Sequence, residues 1–222
     1  MGRWDPDAEG RLKQAAFALY VERGYADVTV AEIAAAAGLT RRTFFRYFPD
    51  KREILFAGAH TFQDAVVTAV ADAPHDRAPI DVLVTALAAS SAQLAVHRPY
   101  ARGRRDLIAS SLDLQERELA KMASLTTAVT AALYHRGATL LRARLVAHAG
   151  VAAFTTAYDR WLDDDRTADL PALIHQSLDE LRDALHPHRG AFPRRTATAI
   201  SSVVARHVTH DPVQPEPLRH RS

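Results

Sequence analysis

Residues Val28–Lys51 read VTVAEIAAAAGLTRRTFFRYFPDK, and the caps and the glycine in this stretch decide the fold. Thr29 followed by Glu32 is a capping-box pair. The Thr29 hydroxyl stands where it accepts from the third helical N–H, the Glu32 carboxylate reaches back, and Val28 and Ile33 occupy the flanking apolar staple positions. A helix therefore begins at Thr29. Gly38 supplies a positive φ at no steric cost and ends it, after which Leu39 and Thr40 form a second staple and cap with Phe44 at the matching position. Asp50 with Glu53 repeats the box after Pro49, so a third helix is expected where the second must stop. Two short helices joined by a tight glycine bend make a helix-turn-helix.

The exposed face of such a unit says what it handles. With Ile33, Ala36, Leu39, Phe44 and Phe48 pointing inward, Arg41, Arg42, Thr43, Phe45, Arg46 and Tyr47 are left along the outside and ends of the second helix. Guanidinium groups form bidentate bonds to guanine edges in the major groove, a threonine meets a thymine methyl or a phosphate, and Tyr47 and Lys51 suit phosphate oxygens. Adjacent arginines alone also occur on ordinary solvated helices. Caps, glycine bend and aromatics at these spacings together point to double-stranded DNA.

The segment from Leu12 to Phe56, about a fifth of the chain, resembles the DNA-binding domain of the TetR family of bacterial transcriptional regulators. A helix ends in Glu22-Arg23-Gly24-Tyr25; Thr29-Val30, Ile33-Ala34 and Ala37-Gly38 follow in the family's order; then come Thr40, Thr43, Tyr47-Phe48 and Lys51. The resemblance implies that the helix from Thr40 to Phe48 enters a major groove. It further implies base reading by Arg41, Arg42, Thr43 and Phe45, and phosphate contacts by Thr29, Tyr47 and Lys51. Phe45 departs from the family's usual Tyr, which removes a hydroxyl and leaves apolar contact, for instance to a thymine methyl. Caps and breaks along the whole chain give about nine helices and no strand pattern, an all-α architecture, and the resemblance implies that three serve DNA and about six ligand binding and pairing.

Composition sets outer limits. The 222 residues are 48% hydrophobic with ordinary charge content, enough to bury a sizeable core. There is no cysteine, which excludes disulfides, thiolate metal sites and cysteine nucleophiles. The formal charge is only +2, so nucleic-acid binding must come from local clustering of cations. The N-terminal MGRWDPDAEGRLK lacks an apolar signal region, and no later run is expected to cross a membrane free of charges. The expected setting is the cytoplasm, with no membrane partner.

Along the chain, Asp5 or Asp7 starts a helix carrying Leu12, Ala15, Ala16 and Leu19, which braces the motif. One helix is expected from Asp50 to Ala73, leading out of the DNA-binding unit. A helix over Ile80–Val96, a glycine-broken basic piece RPYARGRRDLIASS, a long helix from Ser111 to Gly137, an alanine-rich one from Ala138 to Asp163 and a last one to Leu185 follow. The expected organisation is a helix-turn-helix domain over 1–50, an effector-binding and dimerisation domain over 51–186, and a mobile Pro/Arg/His-rich tail over 187–222.

Other chemistry finds little footing. His186, His188, His207, His210 and His220 lack cysteine company or a ligand set, and Asp163, Asp164 and Asp165 lack the glycine and distal Glu of a calcium loop, so no metal or other cofactor is expected. No nucleophile elbow, phosphate-cradling glycine loop or HExxH appears, although Ser90, His97 and Asp106 could converge; the chain is not expected to be an enzyme. A small-molecule effector would sit among Phe62, His97, Tyr100, Arg105, Met122, Tyr134, Phe154, Tyr158 and Trp161. Inward-facing Arg102, Arg104 and Arg105 would favour an anion; outward-facing, they form a solvated loop. A homodimer is expected through a four-helix bundle carrying Leu141, Leu145, Ala149, Ala152, Leu170, Ile174, Leu178 and Leu181. The expected function is a repressor or other regulator that binds a palindromic operator and is released by the effector. The competing readings are an effector-independent DNA-binding regulator and a protein–protein adaptor that reuses the three-helix unit.

Overall fold

A computed structural model describes residues 7–92, 94, 98–164 and 169–185. Its helices are α1 (Ala8–Arg23), α2 (Val30–Ala36), α3 (Arg41–Tyr47), α4 (Ala59–Asp72), α5 (Pro79–Ser91), α6 (Arg98–Ala109), α7 (Leu112–His135), α8 (Leu140–Asp163) and α9 (Leu170–Leu185), with a 3-10 turn at Glu53–Phe56 before α4. No strand occurs among the described residues, so the all-α expectation holds. Residues Met1–Arg182 form one compact unit and Asp183–Ser222 a second, of which only Asp183–Leu185, the end of α9, are described. The expected tail, with its histidines, lies outside the described residues.

Two apolar clusters organise the first unit. Leu12, Ala16 and Tyr20 of α1, Ile33 and Ala34 of α2, and Phe44 of α3 bury their side chains together with Tyr25, Val28 and Phe48. This cluster runs past Lys51 to take in Ile54, Leu55 and Phe56, and it includes Leu107 and Ile108 of α6 and Leu114 of α7. The three-helix unit therefore does not close on itself; its floor is the junction of α6 and α7. The second cluster joins α4, α5, α7, α8 and α9 through Val66, Val70, Leu83, Leu87, Leu125, Val129, Ala147, Phe154 and Ile174, among others. Small residues let these helices approach closely: a Cβ on Gly150 of α8 would lie 2.4 Å from Leu83 Cδ2 on α5.

Three expectations about helix continuity change. The single helix expected from Asp50 to Ala73 is broken, because Gly58 adopts φ +91° between the 3-10 turn and α4. The Asp50–Glu53 box is only half made: the Asp50 carboxylate accepts from the Arg52 and Glu53 amides, while Glu53 turns away to cations of α7. The basic piece around Gly103 is an unbroken helix, α6, in which Gly103 makes room for Phe17 of α1; a Cβ there would fall 2.6 Å from Phe17 Cζ.

One segment exceeds expectation in apolarity. Glu53–Asp72, 20 residues, is long and apolar enough to cross a membrane by length and composition. Here it is interrupted at Gly58, buries Val66 and Val70 in the second cluster, and ion-pairs its first residue.

Candidate nucleic-acid interface

The bend forms as its residues dictate. The Glu32 amide donates to Thr29 Oγ1 at 3.3 Å, and the Thr29 amide and hydroxyl donate to Glu32 Oε2 at 2.9 and 2.7 Å. Arg23 closes on the other carboxylate oxygen at 2.7 Å. The Thr29 bonds, followed by the one from Arg23, pull the Glu32 carboxyl down to about 2. After Ala37, Gly38 takes φ +66°, its amide donating to Ala35 O at 2.9 Å and the Leu39 amide to Ala34 O at 2.8 Å. This pair of bonds is the helix-closing pattern that needs a left-handed residue. Thr40 then accepts from the Thr43 amide at 3.1 Å and caps α3.

On α3 the side chains divide cleanly. Phe44 is fully buried, and Phe48 just beyond the helix packs 5.7 Å from it between ring centres. Phe45 is 50% exposed and stands edge-on to Phe44 at 5.5 Å. Arg41 and Arg42 are exposed and form no hydrogen bond or ion pair with any described residue. Arg46, also exposed, lies over the Tyr47 ring at 5.0 Å and donates to its hydroxyl at 3.3 Å. The helix carries no acidic residue. The outcome is a narrow rod with three cations and one apolar ring on its solvent side, held from behind by buried aromatics.

Two residues expected at phosphates also make bonds within the subunit. The Lys51 ammonium donates to Tyr25 O at 2.8 Å, Val28 O at 2.9 Å and Ala26 O at 3.2 Å, and it sits 4.3 Å from the centre of the Tyr25 ring. All three of its protons have acceptors, and burial lowers its pKa against the opposing pull of Asp113 and Asp27. Lys51 thus clamps the α1–α2 loop. The Tyr20 hydroxyl, in turn, donates to Lys51 O at 2.8 Å. Thr29 likewise spends its hydroxyl proton on Glu32.

The residues proposed for an effector do not assemble as a group. Phe62, Phe154, Tyr158 and Trp161 form an aromatic ladder with ring centres 5.2, 6.0 and 5.7 Å apart, packed into the second cluster. Tyr100 belongs elsewhere, 4.5 Å from Phe17 of α1. Tyr134 is 53% exposed and so lines nothing interior, Met122 is half-buried on α7, and His97 lies outside the described residues. The arginines of α6 neither face a cavity nor hang in a solvated loop. Arg98 donates to Trp161 O and Asp164 O, Arg102 to Leu162 O at 2.6 Å and Asp164 O at 3.0 Å, and Arg105 to the Asp163 carboxylate at 2.7 Å. Arg98 and Arg102 satisfy terminal carbonyls of α8, Arg105 pairs with its last carboxylate, and all three place positive charge at the negative end of its dipole. Arg104 donates to Leu55 O at 2.7 Å.

The proposed pairing surface also splits. Leu170, Ile174 and Leu178 of α9 are buried in the subunit's own second cluster and Leu181 is half-buried, so this stripe is core; outward stand the polar His175, Gln176, Asp179 and Glu180, with Ala172, Ala184 and Leu185 also exposed. Amphipathic spacing reveals an apolar face but not what covers it. On α8, by contrast, Leu141 and Leu145 are 71% and 63% exposed, Ala152 is exposed and Ala149 half-buried. With Leu140, Arg144 and His148, these two leucines line an open groove of about 400 Å³.

What sequence reasoning missed is the mounting of the unit. Arg52 and Glu53 are gripped by Asp113, Arg117 and Lys121 of α7. The signal was present as opposite charges spaced four apart on one helix face.

A capped bend, a buried hydrophobic back and a cationic front define a helix-turn-helix protein of the DNA-binding class. Residues 12–57 match the family profile for bacterial regulatory proteins of the tetR family, and residues 77–186 match that of the MftR C-terminal domain. Together they span well over half of the sequence, and the chain belongs to the TetR family of transcriptional regulators. Over 54 residues it is 39% identical to a Mycobacterium tuberculosis protein described as the mycofactocin biosynthesis transcriptional regulator MftR; that match covers 24% of this chain and 27% of the relative, about a quarter of its length. Solved structures share the fold. The fatty acid degradation regulator FadR from Bacillus halodurans aligns at 19% identity and TM-score 0.55, covering 83% of this chain and 99% of that one. NalD, the secondary repressor of a Pseudomonas aeruginosa multidrug efflux pump, aligns at 19% and 0.55 over 80% and 96%. SmeT, the repressor of a Stenotrophomonas maltophilia multidrug efflux pump, aligns in its complex with triclosan at 20% and 0.57 over 96% and 99%.

Proposed function

We propose that the chain is a homodimeric, MftR-like repressor that reads a palindromic operator with α3 and is released from it by a small molecule. The observation that carries the DNA reading is the exposure of Arg41, Arg42 and Phe45 on one short helix, with the arginines unpaired among the described residues. Arginines normally found in a subunit's own ion pairs would be useless for base reading; these are available to guanine O6 and N7. Thr43 and Phe45 provide the contacts to thymine methyls, and Thr40, Tyr47 and Arg46 lie at the ends of the helix near the phosphates. Two copies follow from the small footprint of a seven-residue helix, with half-sites one turn, roughly 34 to 36 Å, or a multiple apart.

Of the two helices expected to pair, the outer face of α8 supplies the pairing surface, since the α9 stripe is taken up by the subunit's own core. Leu141, Leu145 and Ala152 recur at helical spacing there, and exposed leucines at that spacing fit a self-complementary helix pair across a two-fold axis. For the effector, the aromatic ladder of Phe62, Phe154, Tyr158 and Trp161 is the candidate wall for an apolar ligand. Because those rings already pack on one another, an effector must displace them, which leaves the effector-independent regulator as the second reading. Fragment selection from random duplex DNA followed by titration tests the first claim: saturable, sequence-selective binding is expected, and equal affinity for every fragment would reject it. Loss of operator affinity on adding a bound small molecule separates the two readings.

A further inference from the structure

The residues that join the DNA-reading unit to the rest of the chain are held from one side. Asp113, Arg117 and Lys121 lie four residues apart on α7 and therefore on one face. Asp113 accepts from Arg52 at 2.8 Å and from the Tyr25 hydroxyl at 2.9 Å. Arg117 and Lys121 take the two oxygens of Glu53, Lys121 at 3.0 Å, and Lys121 also lies 3.3 Å from His60 Nε2 at the start of α4. Arg104 of α6 completes the hold, donating to Leu55 O, pairing with Glu118 at 3.2 Å and lying 4.9 Å from the centre of the Phe56 ring. On the other side, the turn at Ala57–Gly58 separates the same joint from α4.

The rungs differ in weight. The Arg52–Asp113 pair is 39% and 46% exposed and contributes little, since water competes for both charges. Glu53 and Lys121 are only 12% and 8% exposed. Burial pushes the Glu53 carboxyl up, yet the bonds from Arg117 and Lys121 outweigh it and the net shift is downward. An ion pair taken out of water recovers its desolvation cost only in one good geometry, whereas apolar side chains of equal volume would hold as firmly while tolerating sliding. A directional buried pair at a joint therefore fixes an angle more than it adds stability.

We infer that the α7 ladder, through Glu53 and Lys121, sets the angle at which the reading unit is carried and thereby the half-site spacing a dimer accepts; Arg117, Lys121 and Glu53 are positioning residues. The inference rests on the operator reading proposed above. Changing the spacing by two base pairs turns one half-site by about 70° relative to the other, given 10 to 10.5 base pairs per turn. A stiff mounting penalises that change and a loose one absorbs it.

The test uses the full chain in two measurements. The first titrates the tightest duplex selected from random DNA, and derivatives with two base pairs added or removed between half-sites. The spacing penalty is expected to be about tenfold or more in wild type and under about threefold in Lys121→Met and in Glu53→Gln/Lys121→Met, with Lys121→Arg restoring it. The double variant leaves no lone buried charge, so it keeps a folded sample available. The second exploits the absence of native cysteine: spin labels on Val21→Cys of α1 and Thr127→Cys of α7, both exposed positions, report the angle without DNA. A narrow distance distribution that broadens in Lys121→Met and in the double variant supports the inference. Folded variants that keep both the narrow distribution and the wild-type spacing penalty overturn it. A wild-type protein with no preference among duplexes would overturn the operator reading instead, and the label distances would then decide by themselves whether the ladder orients the unit.

Discussion

Replacing Lys51 by Met separates a structural role from a DNA-contacting one. The aliphatic stem is kept, so packing over Tyr25 survives in part while the charge disappears. What is lost is an ammonium bonded to three carbonyls at 2.8, 2.9 and 3.2 Å. A hydrogen bond from a charged donor contributes about 1.5 to 3 kcal/mol, but one ammonium serves all three and is partly solvated, so the bonds do not add. The expected loss is about 2 to 3 kcal/mol, or roughly 4 to 12 °C in the melting temperature of a chain of this size. Thermal melting by circular dichroism measures it, together with the salt dependence of affinity for a duplex. A phosphate contact would instead lower the slope of log affinity against log salt by about one and leave melting unchanged. That second pattern, an unaltered melting temperature with a reduced salt slope, would refute the internal assignment.

Leu141→Asp with Leu145→Asp should yield folded monomers by sedimentation with melting little changed; a persistent dimer would place the pairing surface elsewhere. Ile174→Asp, at a fully buried position, should cost about 3 kcal/mol or more and unfold much of the sample whatever its association state, as a charge is buried without a partner; a well-folded variant would contradict the core assignment. Gly150→Ala forces a Cβ to 2.9 Å from Leu83 Cγ and should destabilise by about 1 to 3 kcal/mol in urea unfolding. Glu32 is held at about 2 when folded, below its unfolded value of about 4.3, so its contribution is complete above the higher value and vanishes as pH falls through the lower. Glu32→Gln should accordingly flatten the stability curve between those two pH values, and an unchanged acid limb would deny the capping box its role.

The local structure was legible because short-range rules govern it. Thr29 with Glu32, Gly38, Thr40 and the aromatic alternation of Phe44 and Phe45 each act within four residues, and each formed as its chemistry requires. Harder to read was anything depending on a distant partner. Lys51 looks like a free cation in sequence, and only folding brings it to the carbonyls of Tyr25, Ala26 and Val28. The α9 stripe of Leu170, Ile174 and Leu178 marks a buried face, yet periodicity is silent on whether the same subunit or another covers it. Gly103 read as a breaker because its value lies in the absent Cβ beside Phe17, which no local rule contains. The arginines of α6 followed the same logic, matched by spacing to the end of a helix some sixty residues away.

If α3 reads bases, Arg42→Ala must lose affinity for its selected duplex and largely keep it for an unrelated one, both titrated under identical salt. A loss of about 1 to 3 kcal/mol, roughly 5- to 150-fold, is expected on the selected duplex, with specificity relaxed at one base pair and a much smaller change on the unrelated one. Equal losses on both duplexes, or none on either, would contradict it.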